Sequence, residues 1–249
     1  MAEVIVSVLG NIGSGKSEFI NSMKEKGVGS KLTEMLSMQG GLNVYEESDR
    51  VKKIAADTFY PALQRNDVHT CYAAEIEMLY ARIDQMIDIS KADGLAILER
   101  TPYENRYVFM ENMHASGFMR EPFYENYKAT FKQLINLVPV PDVVVYLRTT
   151  PEVAYERMMK RGRSSEKDLA LEYLRGTHLL YEHLVDRVLA EHIPMYGLKL
   201  VRINADHYLN ENELKKFHDQ IEERIAQTLR RQGWGSSKQM NLNNEPAPL

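Results

Sequence analysis

Gly10-Asn11-Ile12-Gly13-Ser14-Gly15-Lys16-Ser17 follows directly on Val4-Ile5-Val6-Ser7-Val8-Leu9. The octapeptide satisfies G-x-x-x-x-G-K-[ST], the pattern of a phosphate-binding loop. Its glycines let the backbone curl so that successive N–H groups point inward at phosphate oxygens. Lys16 is placed to reach the β- and γ-phosphates, and the Ser17 hydroxyl to ligate Mg²⁺. A helix opening near Gly15 adds the positive end of its dipole. The pattern is short, so its setting decides: apolar β-branched residues precede it, and Phe19, Ile20 and Met23 follow at helical spacing. Strand, loop and helix in that order predict a nucleoside triphosphate site.

Further along, Leu42–Tyr45, Leu95–Leu98, Val143–Leu147 and Leu198–Ile203 are short apolar runs like Val4–Leu9. Helical patterns fill the gaps, over Ser17–Lys26 (closed by Gly27 and Gly29), Asp49–Phe59 (stopped near Pro61), Val68–Ser90, Pro102–Ser116, Pro122–Leu137, Pro151–Lys160, Leu169–Glu191 and Asn210–Arg230. This alternation predicts an α/β fold around a five-stranded parallel sheet. The 249 residues, 44% hydrophobic and 27% charged, suit one domain over 1–231. The polar, Gly- and Pro-punctuated stretch 232–249 is expected to be a flexible tail. A net charge of −4 gives no reason to expect nucleic acid or anionic membrane as a partner. The single cysteine, Cys71, cannot pair internally. With no targeting segment or apolar span of membrane length in view, a reducing, cytoplasmic setting is expected.

Ligands of parallel sheets bind beyond the carboxyl ends of the strands. There the sequence places the loop after the first strand, Glu46-Glu47-Ser48-Asp49 after the second, Glu99-Arg100-Thr101 after the third and Arg148-Thr149-Thr150 after the fourth. Phosphoryl transfer needs a phosphate cradle, a metal ion, cations for developing charge and a group that orients the nucleophile. Glu99 is placed to hold Mg²⁺ and Arg100 to bridge donor and acceptor; an ordinary surface Glu–Arg pair is the alternative. Lys160 with Arg157, Arg161 and Arg163 puts four cations within seven residues. Beside a phosphate loop this reads as a lid that excludes water, rather than as a solvated helix face. Glu46 or Glu47 is a candidate proton acceptor. The period of two points them to opposite faces, and periodicity does not choose between them. The histidines show no metal-ligand spacing, and Cys71 reads as a helix residue.

Taken together, these segments resemble the deoxyribonucleoside kinases. The similarity rests on the phosphate loop, on Leu98-Glu-Arg-Thr-Pro-Tyr-Glu-Asn-Arg106-Tyr-Val-Phe, on Tyr146-Leu-Arg-Thr-Thr-Pro-Glu152, and on Arg157 to Glu166 followed by Leu171-Glu-Tyr-Leu174. It implies a P-loop kinase fold with an arginine-rich lid, a homodimer, and transfer of the ATP γ-phosphate to a deoxynucleoside 5′-hydroxyl. It also assigns roles: Glu46 as general base, Glu99 and Arg100 as the Glu-Arg pair, Arg157, Arg161 and Arg163 as lid arginines, Glu166 on the sugar 3′-hydroxyl, and Tyr60 on the sugar.

Two departures bear on the base. Glu75, seven residues before the base-pocket Arg82, stands where the family has a glutamine, and Asn105 stands where cytosine and purine kinases have an aspartate. An ionised carboxylate only accepts hydrogen bonds. Guanine offers it two adjacent donors, N1–H and N2–H₂, whereas cytosine and adenine present a ring-nitrogen acceptor that repels it. Deoxyguanosine or a related purine is therefore the expected substrate, with Arg82 donating to O6 or N7; the alternative is that Glu75 points elsewhere, into a salt bridge, and another residue reads the base. Competing readings are a monophosphate kinase resembling thymidylate kinase, disfavoured by a carboxylate beside a phosphorylated acceptor, and a non-catalytic nucleotide-binding subunit, disfavoured because Lys16, Glu46, Glu99 and Arg100 are all present.

Overall fold

The computed structural model of the chain describes residues 2–25, 41–190 and 199–207, with positions 219, 223, 226 and 227. β1 (Ala2–Leu9), β2 (Leu42–Tyr45), β3 (Gly94–Glu99), β4 (Val143–Arg148) and β5 (Lys199–Asn204) form a parallel sheet in the order β2-β3-β1-β4-β5. The central strands are buried on both faces, which explains their unbroken apolar runs. On one face Val4, Val6 and Val8 pack against Phe19, Ile20 and Met23 of α1 (Lys16–Glu25). On the other, Ile5, Ala96 and Leu98 meet Met86 and Ile89 of α3 (Val68–Lys91).

The remaining helices bring their residues to the carboxyl rim. α2 joins Asp49–Ile54, a π turn at Ala55–Phe59 and Tyr60–Gln64. α4 likewise joins Pro102–Glu104, a π turn at Asn105–Phe109 and Met110–Ala115. α5 (Glu121–Leu134) ends in a 3₁₀ turn, Ile135–Leu137. α6 (Pro151–Arg161) stops at Gly162, whose φ of 68° is left-handed. α7 (Leu171–His183) continues into the π turn Leu184–Val188.

Among the described elements most boundaries fall within a residue or two of the sequence reading, but α2 does not stop near Pro61 and runs on to Gln64. A proline within a helix lacks an N–H and its ring presses on the carbonyl one turn back. The wide turn before it, in which Tyr60 N–H bonds Ala55 O, reroutes the hydrogen bonds where that conflict would arise. The glycine stop at 27 and 29, most of the helix expected over 210–230 and the tail 232–249 lie outside the described residues.

Register and topology together position the site. The chain leaves β1 toward β2 on one side and β4 toward β5 on the other, so a crevice opens at the carboxyl ends of β1 and β4. Val8 pairs with Glu99, Leu9 with Tyr146 and Tyr45 with Leu98. The phosphate loop, Glu46-Glu47 and Glu99-Arg100 thereby share one rim.

Candidate active site

The protein's own side chains hold the loop in shape. Asn11 Nδ2 donates to Leu174 O of α7 at 2.9 Å, and its Oδ1 accepts from Ile12 N at 2.8 Å and Thr177 Oγ1 at 2.9 Å. Gly13 has φ 77°, and a Cβ there would lie 2.2 Å from Ala154 O, so only glycine lets the loop pass under α6. Lys16 Nζ donates to Gly10 O and Asn11 O, each at 2.8 Å. Burial and then the Arg100 charge pull its pKa down to about 7, against the opposing pull of Glu99. Ser17 Oγ lies 3.1 Å and 3.2 Å from the two oxygens of the Glu99 carboxylate.

A cavity of about 650 Å³ opens above the loop and reaches into the space between α2 and α3. Glu47 enters it from the end of β2. Its carboxylate accepts from Arg82 Nη2 and lies 3.5 Å from Arg100 Nε. Burial opposes ionisation of Glu47, but the Arg82 and Arg100 charges outweigh it and hold the carboxyl near 2. Glu46 points away, as the period of two requires. Its half-buried carboxylate lines no part of the cavity and lies 3.7 Å from the Nζ of Lys52, which does line it. Of the two acids at this strand end, it is therefore Glu47 and not Glu46 that enters the cavity.

Arg100 is buried in a left-handed backbone conformation, φ 66°. Its Nη1 donates to Tyr181 Oη at 2.6 Å and Glu104 Oε1 at 3.1 Å, and its guanidinium carbon lies 4.9 Å from the centroid of the Phe109 ring. This is not a surface pair. Farther in, Asn105 Oδ1 accepts from Arg82 Nη1, and Asn105 Nδ2 donates to Glu75 Oε2 at 3.1 Å. Arg82 thus spends both terminal nitrogens on Glu47 and Asn105, and its Nε is buried without a hydrogen-bond partner. Burial pushes the Glu75 carboxyl up to about 7, against the Asn105 bond and the Arg82 charge. Tyr60 and Glu75 line the cavity and Asn105 stands behind Glu75. Burial and Glu166 raise the Tyr60 phenol above its ordinary value.

The lid lies across the opposite wall. Arg161 Nη2 donates to Glu166 Oε2 at 2.5 Å and Arg163 Nη1 to Glu166 Oε1 at 3.4 Å. Arg157 bonds Ala205 O at 2.7 Å and Asp206 O at 3.0 Å, beyond β5. All three arginines, Lys160 and Glu166 line the cavity. Sequence reasoning did not single out Tyr173, which lines the same cavity, or Tyr181 behind Arg100. Tyr173, Thr177 and Tyr181 recur every fourth residue on one face of α7, the signal by which they were open to detection.

The chain matches the deoxynucleoside kinase family model over residues 6–226. It is 30% identical over 216 residues to mitochondrial thymidine kinase 2 of Macaca fascicularis, covering 82% of this chain and 72% of that protein. With the human form the match is 37% over 120 residues, which spans 48% of this chain and only 44% of that protein. Deoxycytidine kinase of Bos taurus is 26% identical over 247 residues, 90% of each chain. Among solved structures, deoxyadenosine kinase from M. mycoides superposes with a TM-score of 0.64, covering 90% of this chain and all of that one at 20% identity, a likeness of fold. With its phosphate loop, paired strand-end acids and arginine lid on one rim, the chain belongs to the deoxynucleoside kinase family.

Proposed function

We propose that the protein transfers the γ-phosphate of ATP to the 5′-hydroxyl of a deoxynucleoside, with Glu47 as the general base and deoxyguanosine as the preferred acceptor. The observation that carries this reading is the convergence of Lys16, Glu47, Glu99 and Arg100 on one cavity. The loop amides and Lys16 receive the phosphates, and the lid arginines exchange Glu166 and main-chain carbonyls for phosphate oxygens. Mg²⁺ is the family's expected cofactor, and the pairing of Ser17 with Glu99 suits a hard cation that takes one or two protein oxygens and completes its shell from phosphate. When bound, it supplies charge neutralisation to the β- and γ-phosphates. Among the described residues no cluster of three or more His, Cys, Asp or Glu offers an alternative metal site.

Glu47 is ionised at neutral pH and is placed to orient the 5′-hydroxyl. A carboxylate this acidic takes its proton late, as bond formation to phosphorus acidifies the hydroxyl, which suits a loose transition state. Arg100 is placed to touch the transferring phosphoryl group. At the far end, the ionised form of Glu75 supplies acceptors for guanine N1–H and N2–H₂, donors that draw its carboxyl down from the raised value burial gives it, and Arg82 is the donor for O6. Homodimerisation, implied by the resemblance, is checked by light scattering.

Phosphate transfer from labelled ATP is measured against the four deoxynucleosides and their 5′-monophosphates. The expected result is label on deoxynucleosides, deoxyguanosine foremost, with kcat reduced on the order of 10²- to 10⁴-fold in Glu47→Gln. Glu46→Gln is expected to stay within about twofold, as a surface change. Label on monophosphates alone would assign the monophosphate kinase reaction, and equal loss in both variants would remove Glu47 from its role.

A further inference from the structure

Arg100 sits in a left-handed backbone conformation that is strained for an L-residue, and its guanidinium is buried. Something must hold it there. Behind it, away from Glu47, lie two groups that no part of the phosphate or base chemistry uses. Glu104 is fully buried, and so is Tyr181. Glu104 Oε1 accepts from Arg100 Nη1 at 3.1 Å and from Tyr181 Oη at 2.6 Å, while Tyr181 Oη also accepts from Arg100 Nη1 at 2.6 Å. The three groups form a closed triangle. Glu104 Oε2 meanwhile accepts from Thr101 N at 2.9 Å at the start of α4. One carboxylate therefore fixes both the backbone just after Arg100 and the guanidinium itself.

We propose that Glu104 and Tyr181 are positioning residues that aim Arg100 into the cavity and divide its charge between Glu104 and Glu47. A buried carboxylate facing Arg100 from behind draws Nη1 back, so that only Nε approaches Glu47, at 3.5 Å rather than as a close bidentate pair. Glu47 keeps an oxygen for the acceptor hydroxyl, and Arg100 keeps its remaining nitrogen for the phosphoryl group. Tyr181 can do this at any working pH, because burial holds its phenol well above the ordinary value and therefore neutral. The contacts link α4 with α7 across 77 positions of sequence. The proposal rests on the phosphoryl-transfer reading above.

The test compares Tyr181→Phe with Tyr146→Phe. Tyr146 stacks on Tyr181 with ring centroids 6.0 Å apart, but its hydroxyl donates to Glu182 and has no bond to Arg100. Each variant removes one hydroxyl from the same packing layer, so a merely structural role moves both alike. Tyr181→Phe is expected to lower kcat on the order of ten- to a hundredfold, the loss that misplacing a catalytic group brings. Its KM for ATP and for the deoxynucleoside should stay within about twofold, while Tyr146→Phe retains kcat with a similar fall in Tm. Glu104→Gln, which keeps the shape and an acceptor for Thr101 N–H, should lower kcat in the same way and serves if Tyr181→Phe does not fold. Equal kcat in the two tyrosine variants, or a loss expressed in KM, overturns the proposal. A wild-type protein that phosphorylates no deoxynucleoside overturns the functional reading instead, so the two failures are distinct.

Discussion

Glu75 is a carboxyl whose ionisation is opposed by its surroundings. The cation that acts on it most, Arg82, is committed to Glu47 and Asn105, and among the described residues Asn105 alone donates to it directly. Because its folded pKa of about 7 lies above the ordinary 4.5, this group's contribution to stability is complete below about pH 4.5 and is lost as pH rises through about 7. The full loss amounts to about 3 kcal/mol. Glu75→Gln removes the titration, so its Tm relative to wild type should climb by several degrees between pH 5 and pH 8. The same substitution should shift relative kcat/KM from deoxyguanosine toward deoxyadenosine or deoxycytidine. Unchanged relative kcat/KM across the four deoxynucleosides would show that another residue reads the base. Single residues were unevenly legible in the sequence. Lys16 and Ser17 followed from a local pattern, and the Glu99-Arg100 pair from its strand-end position. Which of Glu46 and Glu47 enters the cavity did not, because alternation says only that neighbours diverge. The Glu104–Tyr181 pair was invisible for a different reason: its partners meet only after α4 and α7 have packed.

Elements show the same division. Each described strand was found within one or two residues: the central ones because an apolar run buried on both faces leaves one reading, the half-buried edge strands β2 and β5 because helical patterns bound a short apolar run. The crossing of Pro61 was missed because a π turn has no local composition of its own; it is selected by what the following residues must touch. Ala55, Phe59 and Tyr60 all line the cavity, so the wide turn of α2 is aimed at the ligand. Deleting the single residue Asp57 should restore regular winding and rotate Tyr60 by about 100°. The expected outcome is a KM for deoxynucleoside raised at least about tenfold with KM for ATP little changed; steady-state kinetics with each substrate varied decides it. An equal rise in both would mean that the turn supports the whole cavity rather than its acceptor end.

At the scale of the molecule, the cavity stores its cations on its own carbonyls and carboxylates. Lys16 rests on the loop, Arg161 and Arg163 on Glu166, and Arg157 beyond β5. Triphosphate binding replaces these neutral or internal partners with a concentrated negative charge, which raises the Lys16 pKa from about 7. Above that pH the protein must gain a proton as it binds. Calorimetry at pH 8 in buffers of different ionisation enthalpy should report an uptake approaching one proton per nucleotide, and Lys16→Gln should abolish it. Equal binding enthalpies in all buffers would show that Lys16 is already charged. A separate consequence follows from the hold of Asn11 on Leu174 and Thr177. One face of α7 serves the phosphate loop, the cavity wall and the back of Arg100 at successive turns. Substitution can change what each turn offers, but an insertion or deletion would break all three at once. Over evolutionary time this helix should therefore vary in letters and not in length, while its outward positions, such as the exposed Leu179, drift freely.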